Sequence, residues 1–257
     1  MDAILETQGL SKQFLGFTAV GDVSLSVRRG SIHGLIGPNG AGKTTCFNLL
    51  TKFLPPTSGT IRFNGRDITR MKPAEVARLG LVRSFQISAV FPHLTVLENV
   101  RVALQRQRGG SFDFWRSDSV LRRFDARARD LLEDVGLTAF AQRAAGELPY
   151  GRKRALEIAT TLALEPTMML LDEPTAGMTA EDVDRIVTLV KRVAEGRTVL
   201  MVEHNLKVVE GLCDTITVLT RGRILAEGPY AEVSRNPEVI AAYLGTDPSI
   251  TGAAAHG

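Results

Sequence analysis

A short apolar run at residues 31–36 leads directly into Gly37-Pro38-Asn39-Gly40-Ala41-Gly42-Lys43-Thr44, and a helical pattern begins at Lys43. A buried strand, a glycine-rich turn and a helix in that order leave few architectures open, because the helix must fold back across the strand's sheet. The turn also has the G-x-x-x-x-G-K-[ST] spacing of a phosphate loop. Its glycines let the backbone curl so that successive N–H groups point inward at a β-phosphate. The positive end of the helix starting near Lys43 adds its field. Lys43 brings a compact charge to the β- and γ-phosphates, Thr44 offers a hydroxyl to Mg²⁺, and Thr45 is placed to help hold an α-phosphate.

The rest of the chain agrees with a mainly parallel sheet covered on both faces. Alternating patterns predict strands at 3–10 and 23–28, and residues 60–64 with Asn64-Gly65 read as strand and turn. A helix is expected over 43–53, stopped by Pro55-Pro56, then a short helix at 73–79 and a strand at 81–85. From 87 to 147 the pattern is helical with no strong strand signal. Strand and helix then alternate again: Met168–Asp172, 180–195, Thr198–Val202 and 205–212, with a hairpin of 215–219 and 223–227 around Thr220-Arg221-Gly222.

Met168–Asp172 is an apolar strand ending in an acid, with Glu173 next. An aspartate at a strand's carboxyl end is placed to hold Mg²⁺ through its water shell. The following carboxylate is placed to polarise a water in line with a γ-phosphate. On an extended chain the two point to opposite sides, so the roles need not compete.

Hydrophobic residues make up 44% of the 257, charged residues 23%, and the net charge is +3, so a sizeable core is expected and nucleic acid is not implied. No run approaches 18 apolar residues, and the first residues lack a basic stretch followed by an apolar one, so neither a membrane span nor an export signal is expected. Cys46 and Cys213 have no metal-ligand spacing and suit a reduced cytoplasm.

With these motifs in this order, residues 4–245 resemble the nucleotide-binding subunits of ABC transporters. The resemblance implies a P-loop NTPase (RecA-like) α/β core with an antiparallel β subdomain and a helical insertion subdomain. The α/β lobe would be residues 1–86 and 150–245, the helical lobe 87–149, and 246–257 a tail. It implies that Phe14 stacks on adenine, with Val20 beside it; an ordinary core phenylalanine is the other reading of Phe14. Gln86, in Arg83-Ser84-Phe85-Gln86, matches the glutamine linking the metal site to the helical lobe. Asp172 and Glu173 match the Mg²⁺ aspartate and the catalytic glutamate, and His204 matches the histidine that contacts the γ-phosphate. Within the family the chain looks like ATPases of branched-chain amino acid importers. The carrying segments are Phe91-Pro92-His93-Leu94-Thr95-Val96-Leu97-Glu98-Asn99-Val100, Glu203-His204 running into Gly211-Leu212-Cys213-Asp214, and Ala241-Ala242-Tyr243-Leu244-Gly245. Implied partners are a second ABC ATPase subunit, two membrane permeases and an extracytoplasmic solute-binding protein, with ATP and Mg²⁺ as cofactors.

Two departures stand out. The family's Leu-Ser-Gly-Gly-Gln signature, which closes over the partner's ATP, reads Leu148-Pro149-Tyr150-Gly151-Arg152. Pro149 supplies neither hydroxyl nor N–H. Arg152, Lys153 and Arg154 either replace the serine at the partner's ATP or form a solvated face. The second departure is Ala176-Gly177-Met178-Thr179, where many relatives carry an aspartate and Thr179 keeps only a hydroxyl. Between Arg101 and Arg129 eight arginines face three aspartates, readable as a solvated helical face or as attraction to anionic headgroups or permease loops. Trp115, lying with Phe112 and Phe114, is read as the anchor of a small core of the insertion, with a face toward a partner as the other reading. The resemblance implies that residues 87–94 help line a groove for a permease helix; a place for their Ile, Val and Phe in the core is the other reading. The rival readings are a soluble ABC ATPase acting on nucleic acid or ribosomes, a non-hydrolysing regulatory subunit, and an exporter or lipid-transport ATPase.

Overall fold

The computed structural model describes residues 2–84, 90–105 and 123–244. In chain order it forms β1 (Ala3–Phe14), β2 (Phe17–Val23), β3 (Ser26–Arg28), β4 (Ile32–Ile36), α1 (Lys43–Leu50), β5 (Ser58–Phe63), β6 (Arg66–Asp67), α2 (Pro73–Arg78) and β7 (Leu81–Ser84). The helices α3 (Val96–Gln105), α4 (Asp125–Asp134) and α5 (Tyr150–Leu162) come next. They are followed by β8 (Met168–Asp172), α6 (Ala180–Ala194), β9 (Thr198–Val202), α7 (Leu206–Leu212), β10 (Thr215–Thr220), β11 (Arg223–Gly228), α8 (Tyr230–Val233) and α9 (Pro237–Leu244).

Two sheets result. One runs β2-β1-β5-β6 with β3 also on β1, and its pairings are antiparallel. The other runs β11-β10-β4-β9-β8-β7, parallel except for the β10–β11 hairpin. Side chains alternate across a strand, and β8 is buried on both faces. Met168 and Leu170 join the core shared with the antiparallel sheet and α1. Met169 and Leu171 join the core shared with α3, α4, α5 and α6. Each such fully buried side chain contributes roughly 1.5–3 kcal/mol of transfer free energy. The helical segments thus share their core with one face of the parallel sheet. A smaller cluster under α8 and α9 joins Ile36, Ile216 and Val218 to Val233 and Val239.

Several boundaries differ from the sequence expectations. The strand read at 3–10 continues to Phe14 and turns through Leu15 and Gly16, at φ 44 and 88, into β2. Two consecutive positive φ values make the tight turn that matches strand twist. The strand read at 23–28 is broken, with Val23 ending β2 and only Ser26–Arg28 forming β3. The helix read at 43–53 stops at Leu50, and Lys52 at φ 64 leaves the helical region. Within the stretch read as helical, Thr95 and Ala144 form an antiparallel bridge. Gln86, Trp115, Phe112 and Phe114 lie outside the described residues.

Candidate nucleotide site

The strand order β4-β9-β8-β7 sets the carboxyl ends of four parallel strands side by side, the place where α/β sheets bind ligands. Val202 pairs with Leu35 on one side and Asp172 on the other, so the starts of three loops lie in one row. Those loops carry the phosphate-loop residues, Glu173 and His204.

Glycine is required at both ends of the phosphate loop. At Gly37, φ is 148 and a Cβ would lie 2.1 Å from the Leu219 carbonyl oxygen. At Gly42, which precedes α1, φ is 98 and a Cβ would lie 2.5 Å from the Ala19 carbonyl oxygen. The loop is braced from outside: Gly222 N–H donates to Ala41 O at 3.0 Å, and Gly21 N–H donates to Gly222 O at 2.8 Å. Lys43 Nζ donates to Gly37 O at 2.6 Å and to Pro38 O at 3.0 Å, curling its ammonium over the loop. Burial lowers the Lys43 pKa, and the carboxylates of Glu173 and Asp172 oppose that shift. Thr44 is exposed and Thr45 half-buried on the first turn of α1. Asn39 and Gly40 are exposed, and residues 38–41 share a cavity of about 520 Å³ with Arg221 of the hairpin turn and Glu238, Ala241 and Ala242 of α9.

Asp172 is buried, and its carboxylate is paired with the guanidinium of Arg83. Arg83 Nη1 also donates to Asn48 Oδ1 at 2.6 Å. Glu173 is half-buried, its N–H donates to Val202 O at 2.9 Å, and its φ is 44. The extended geometry expected for the Asp172-Glu173 pair is therefore not what is found. The chain turns at Glu173, through a conformation that costs a non-glycine residue about 1–3 kcal/mol. His204 is exposed.

A residue the sequence reading passed over ties these loops together. Glu203 is completely buried. Its Oε1 accepts from Thr175 N–H at 3.0 Å and from Thr175 Oγ1 at 2.5 Å. Its Oε2 accepts from His204 N–H at 3.0 Å and Asn205 N–H at 3.3 Å.

The other expected residues are distributed as follows. Phe14 is 40% exposed near the end of the β1–β2 hairpin, with Lys12 Nζ 5.1 Å from its ring centre, so it is not a core side chain. Val20 is fully buried and lies under Gly42, where a Cβ would meet its Cγ2 at 3.6 Å. Leu148 is in the core, Pro149 caps α5, and Tyr150 is exposed. Gly151 faces α6, where a Cβ would lie 2.8 Å from the Asp182 carboxyl carbon. Arg152 stacks on Phe140 at 4.0 Å. Arg154 turns inward, donating to Glu157 Oε2 and to the Asp172 carbonyl, each at 2.6 Å. Both readings of Arg154, a cation for a neighbour's nucleotide and part of a solvated face, are thereby corrected, because Glu157 lies one helical turn on and draws it inside. Thr179 caps α6, its hydroxyl accepting from Asp182 N–H at 3.3 Å.

A glycine cradle, a lysine and two strand-end acids on a parallel sheet define a P-loop nucleoside triphosphatase. Residues 20–176, more than half of the chain, match the ABC transporter family, and residues 223–248 match the family described as branched-chain amino acid ATP-binding cassette transporter. The chain belongs to the ABC transporter ATP-binding family and is an ATP-hydrolysing subunit of that kind. It is 40% identical over 252 residues to the high-affinity branched-chain amino acid transport ATP-binding protein BraF of Pseudomonas aeruginosa, covering 94% of this chain and 98% of that protein. It is 41% identical over 249 residues to LivG of Salmonella typhimurium, a protein of the same description, with 94% and 98% covered. Among solved structures it resembles the ADP conformation of MJ1267, an ATP-binding cassette of an ABC transporter, with a TM-score of 0.84, 33% identity, and 95% and 100% of the chains covered. The dimeric bacterial ABC transporter cassette MJ0796 is also similar, with a TM-score of 0.73, 26% identity, and 88% and 98% covered. These relatives favour the importer reading over the nucleic-acid or ribosome rival and over the exporter or lipid-transport rival.

Proposed function

We propose that this chain energises import of branched-chain or related amino acids through separate permease subunits at the cytoplasmic face of the membrane. The observation that carries this reading is the match at 223–248, on β11, α8 and α9, to the branched-chain amino acid cassette family. A second ATPase subunit, either a copy or a relative, pairs with it, and an extracytoplasmic binding protein delivers the solute. Phe53 and Phe91, about half exposed, line a cavity of about 360 Å³ with α2 and α3, a surface suited to a permease helix. The α/β lobe comprises 1–86 and 150–245, the helical lobe 87–149, and 246–257 the tail.

In this reading Phe14 lies at the adenine and residues 37–45 hold the phosphates, while Val20, expected beside Phe14, is fully buried and backs the phosphate loop under Gly42 instead. Thr44, Gln86 and Asp172 would hold Mg²⁺. One hydroxyl and one carboxylate fit Mg²⁺ shared with phosphate oxygens and water, and no cluster of three or more His, Cys, Asp or Glu side chains suited to a protein-only site is present among the described residues. Mg²⁺, when bound, neutralises charge on the β- and γ-phosphates. Glu173 orients the attacking water and takes its proton as the water oxygen bonds to the γ-phosphorus and the β–γ bridge breaks. Lys43 and His204 stabilise the charge that develops. Residues 148–152 close over the partner's nucleotide.

The test is reconstitution with its permeases and binding protein in vesicles. ATP turnover that rises with leucine, isoleucine or valine, together with their uptake, is expected. Turnover indifferent to these solutes, with no uptake, contradicts the substrate assignment.

A further inference from the structure

We infer that Glu203 is a positioning residue that sets the loop bearing Glu173 and the backbone of His204 in one fixed relation. The two oxygens of Glu203 take four donors, two from Thr175 and one each from the N–H groups of His204 and Asn205. A group facing only donors must be acceptor-only, which a carboxylate is and an amide is not. Burying a charge is costly, and a completely buried carboxylate persists only where its partners are arranged around it.

Those partners belong to two different loops. Thr175 lies two residues after Glu173, and His204 follows Glu203 directly. The strands beneath are adjacent, with Asp172 paired to Val202, and Glu173 N–H donates to Val202 O at 2.9 Å. Glu203 therefore fastens the far side of the turn at Glu173 to the start of the turn at His204. Glu173 sits at φ 44, a backbone that needs support from its surroundings. The His204 ring itself is exposed, with Nδ1 3.9 Å from Glu203 Oε2, so Glu203 fixes the backbone and leaves the ring free to meet a phosphate. Glu203 touches no reacting atom and acts through both residues. Misplacing a reacting group by about 1 Å costs about a hundredfold in rate.

This rests on the reading that Glu173 and His204 serve hydrolysis, so the test carries a control for that reading. ATP turnover, KM and nucleotide affinity are measured for Glu203→Gln, Thr175→Val and Glu173→Gln, with melting temperatures. Glu203→Gln places an NH₂ against a donor and is expected to lower kcat at least tenfold, with KM and fluorescent-ADP affinity within about twofold. Thr175→Val removes one of the four donors and is expected to lower kcat several-fold with the same binding. Unchanged kcat in both variants, or loss of kcat matched by loss of affinity and melting temperature, overturns the role. Should Glu203→Gln fail to fold, Thr175→Val decides: unchanged kcat overturns the inference. If Glu173→Gln keeps full turnover, the reading of the site fails instead.

Discussion

The guanidinium of Arg83, on the strand beside β8, is paired with the carboxylate of Asp172, and their side chains are only 11% and 2% exposed. A cation is thus already in place at the acid assigned to Mg²⁺. Removing one partner of a buried pair strands the other, at a cost of about 3 kcal/mol. Arg83→Met is expected to lower the melting temperature of the nucleotide-free protein. The rise in melting temperature on adding ATP and Mg²⁺ should be larger than in the parent, because the stranded carboxylate gains a cation. Differential scanning fluorimetry with and without Mg²⁺ reads both; an equal rise in the two proteins contradicts the shared-carboxylate account.

The two bounding glycines of the phosphate loop and the exposed Gly40 make a graded series. A Cβ at Gly37 meets the Leu219 carbonyl at 2.1 Å, whereas at Gly40, with φ 77, nothing lies within 4 Å. Gly37→Ala is expected to abolish nucleotide binding and destabilise the sheet by several kcal/mol. Gly40→Ala carries only the left-handed backbone penalty of about 1–2 kcal/mol. Urea unfolding and fluorescent-nucleotide titration check both.

Lys43 is held over its own loop by two carbonyls, so its charge stands ready where phosphates are expected. Lys43→Ala should reduce ATP affinity at least tenfold while leaving the far-ultraviolet circular dichroism unchanged. Undiminished binding by equilibrium titration contradicts its place in the site.

Acid sensitivity should arise well away from the nucleotide. His33 is buried on β4, and burial lowers its pKa from 6.5 to about 4. Thr217 Oγ1 donates to Glu227 at 2.6 Å, so the neutral ring's Nε2–H donates to Thr217 at 2.8 Å. The folded pKa lies below the unfolded one, so the unfolded chain takes up the proton first as pH falls. Stability is fully present above pH 6.5 and declines through pH 4, by up to about 3 kcal/mol. A His33→Gln variant should show a flatter stability profile between those limits in urea unfolding at stepped pH; an unaltered slope contradicts the assignment.

What the sequence disclosed follows from how local each signal is. The phosphate loop and β8 were legible because Gly37, Gly42, Lys43 and the run ending in Asp172 carry their physics within a few residues. The β1–β2 hairpin was not, because Lys12, Gln13 and Phe14 leave the core and their alternation carries no hydrophobic signal. The turn at Glu173 was missed because nothing in Asp-Glu-Pro reports a positive φ. Glu203 was hidden because its partner Thr175 is 28 residues away and meets it only once β8 and β9 are side by side. Arg154 carried a usable sign: Glu157 three residues on offers an inward ion pair.

The role of Glu173 in hydrolysis is read from ATP turnover and light scattering of the purified Glu173→Gln protein with ATP and Mg²⁺. ATP is expected still to bind, turnover to fall at least a hundredfold, and a dimer to form only when ATP is present. Undiminished hydrolysis would remove Glu173 from its role and contradict the site as assigned.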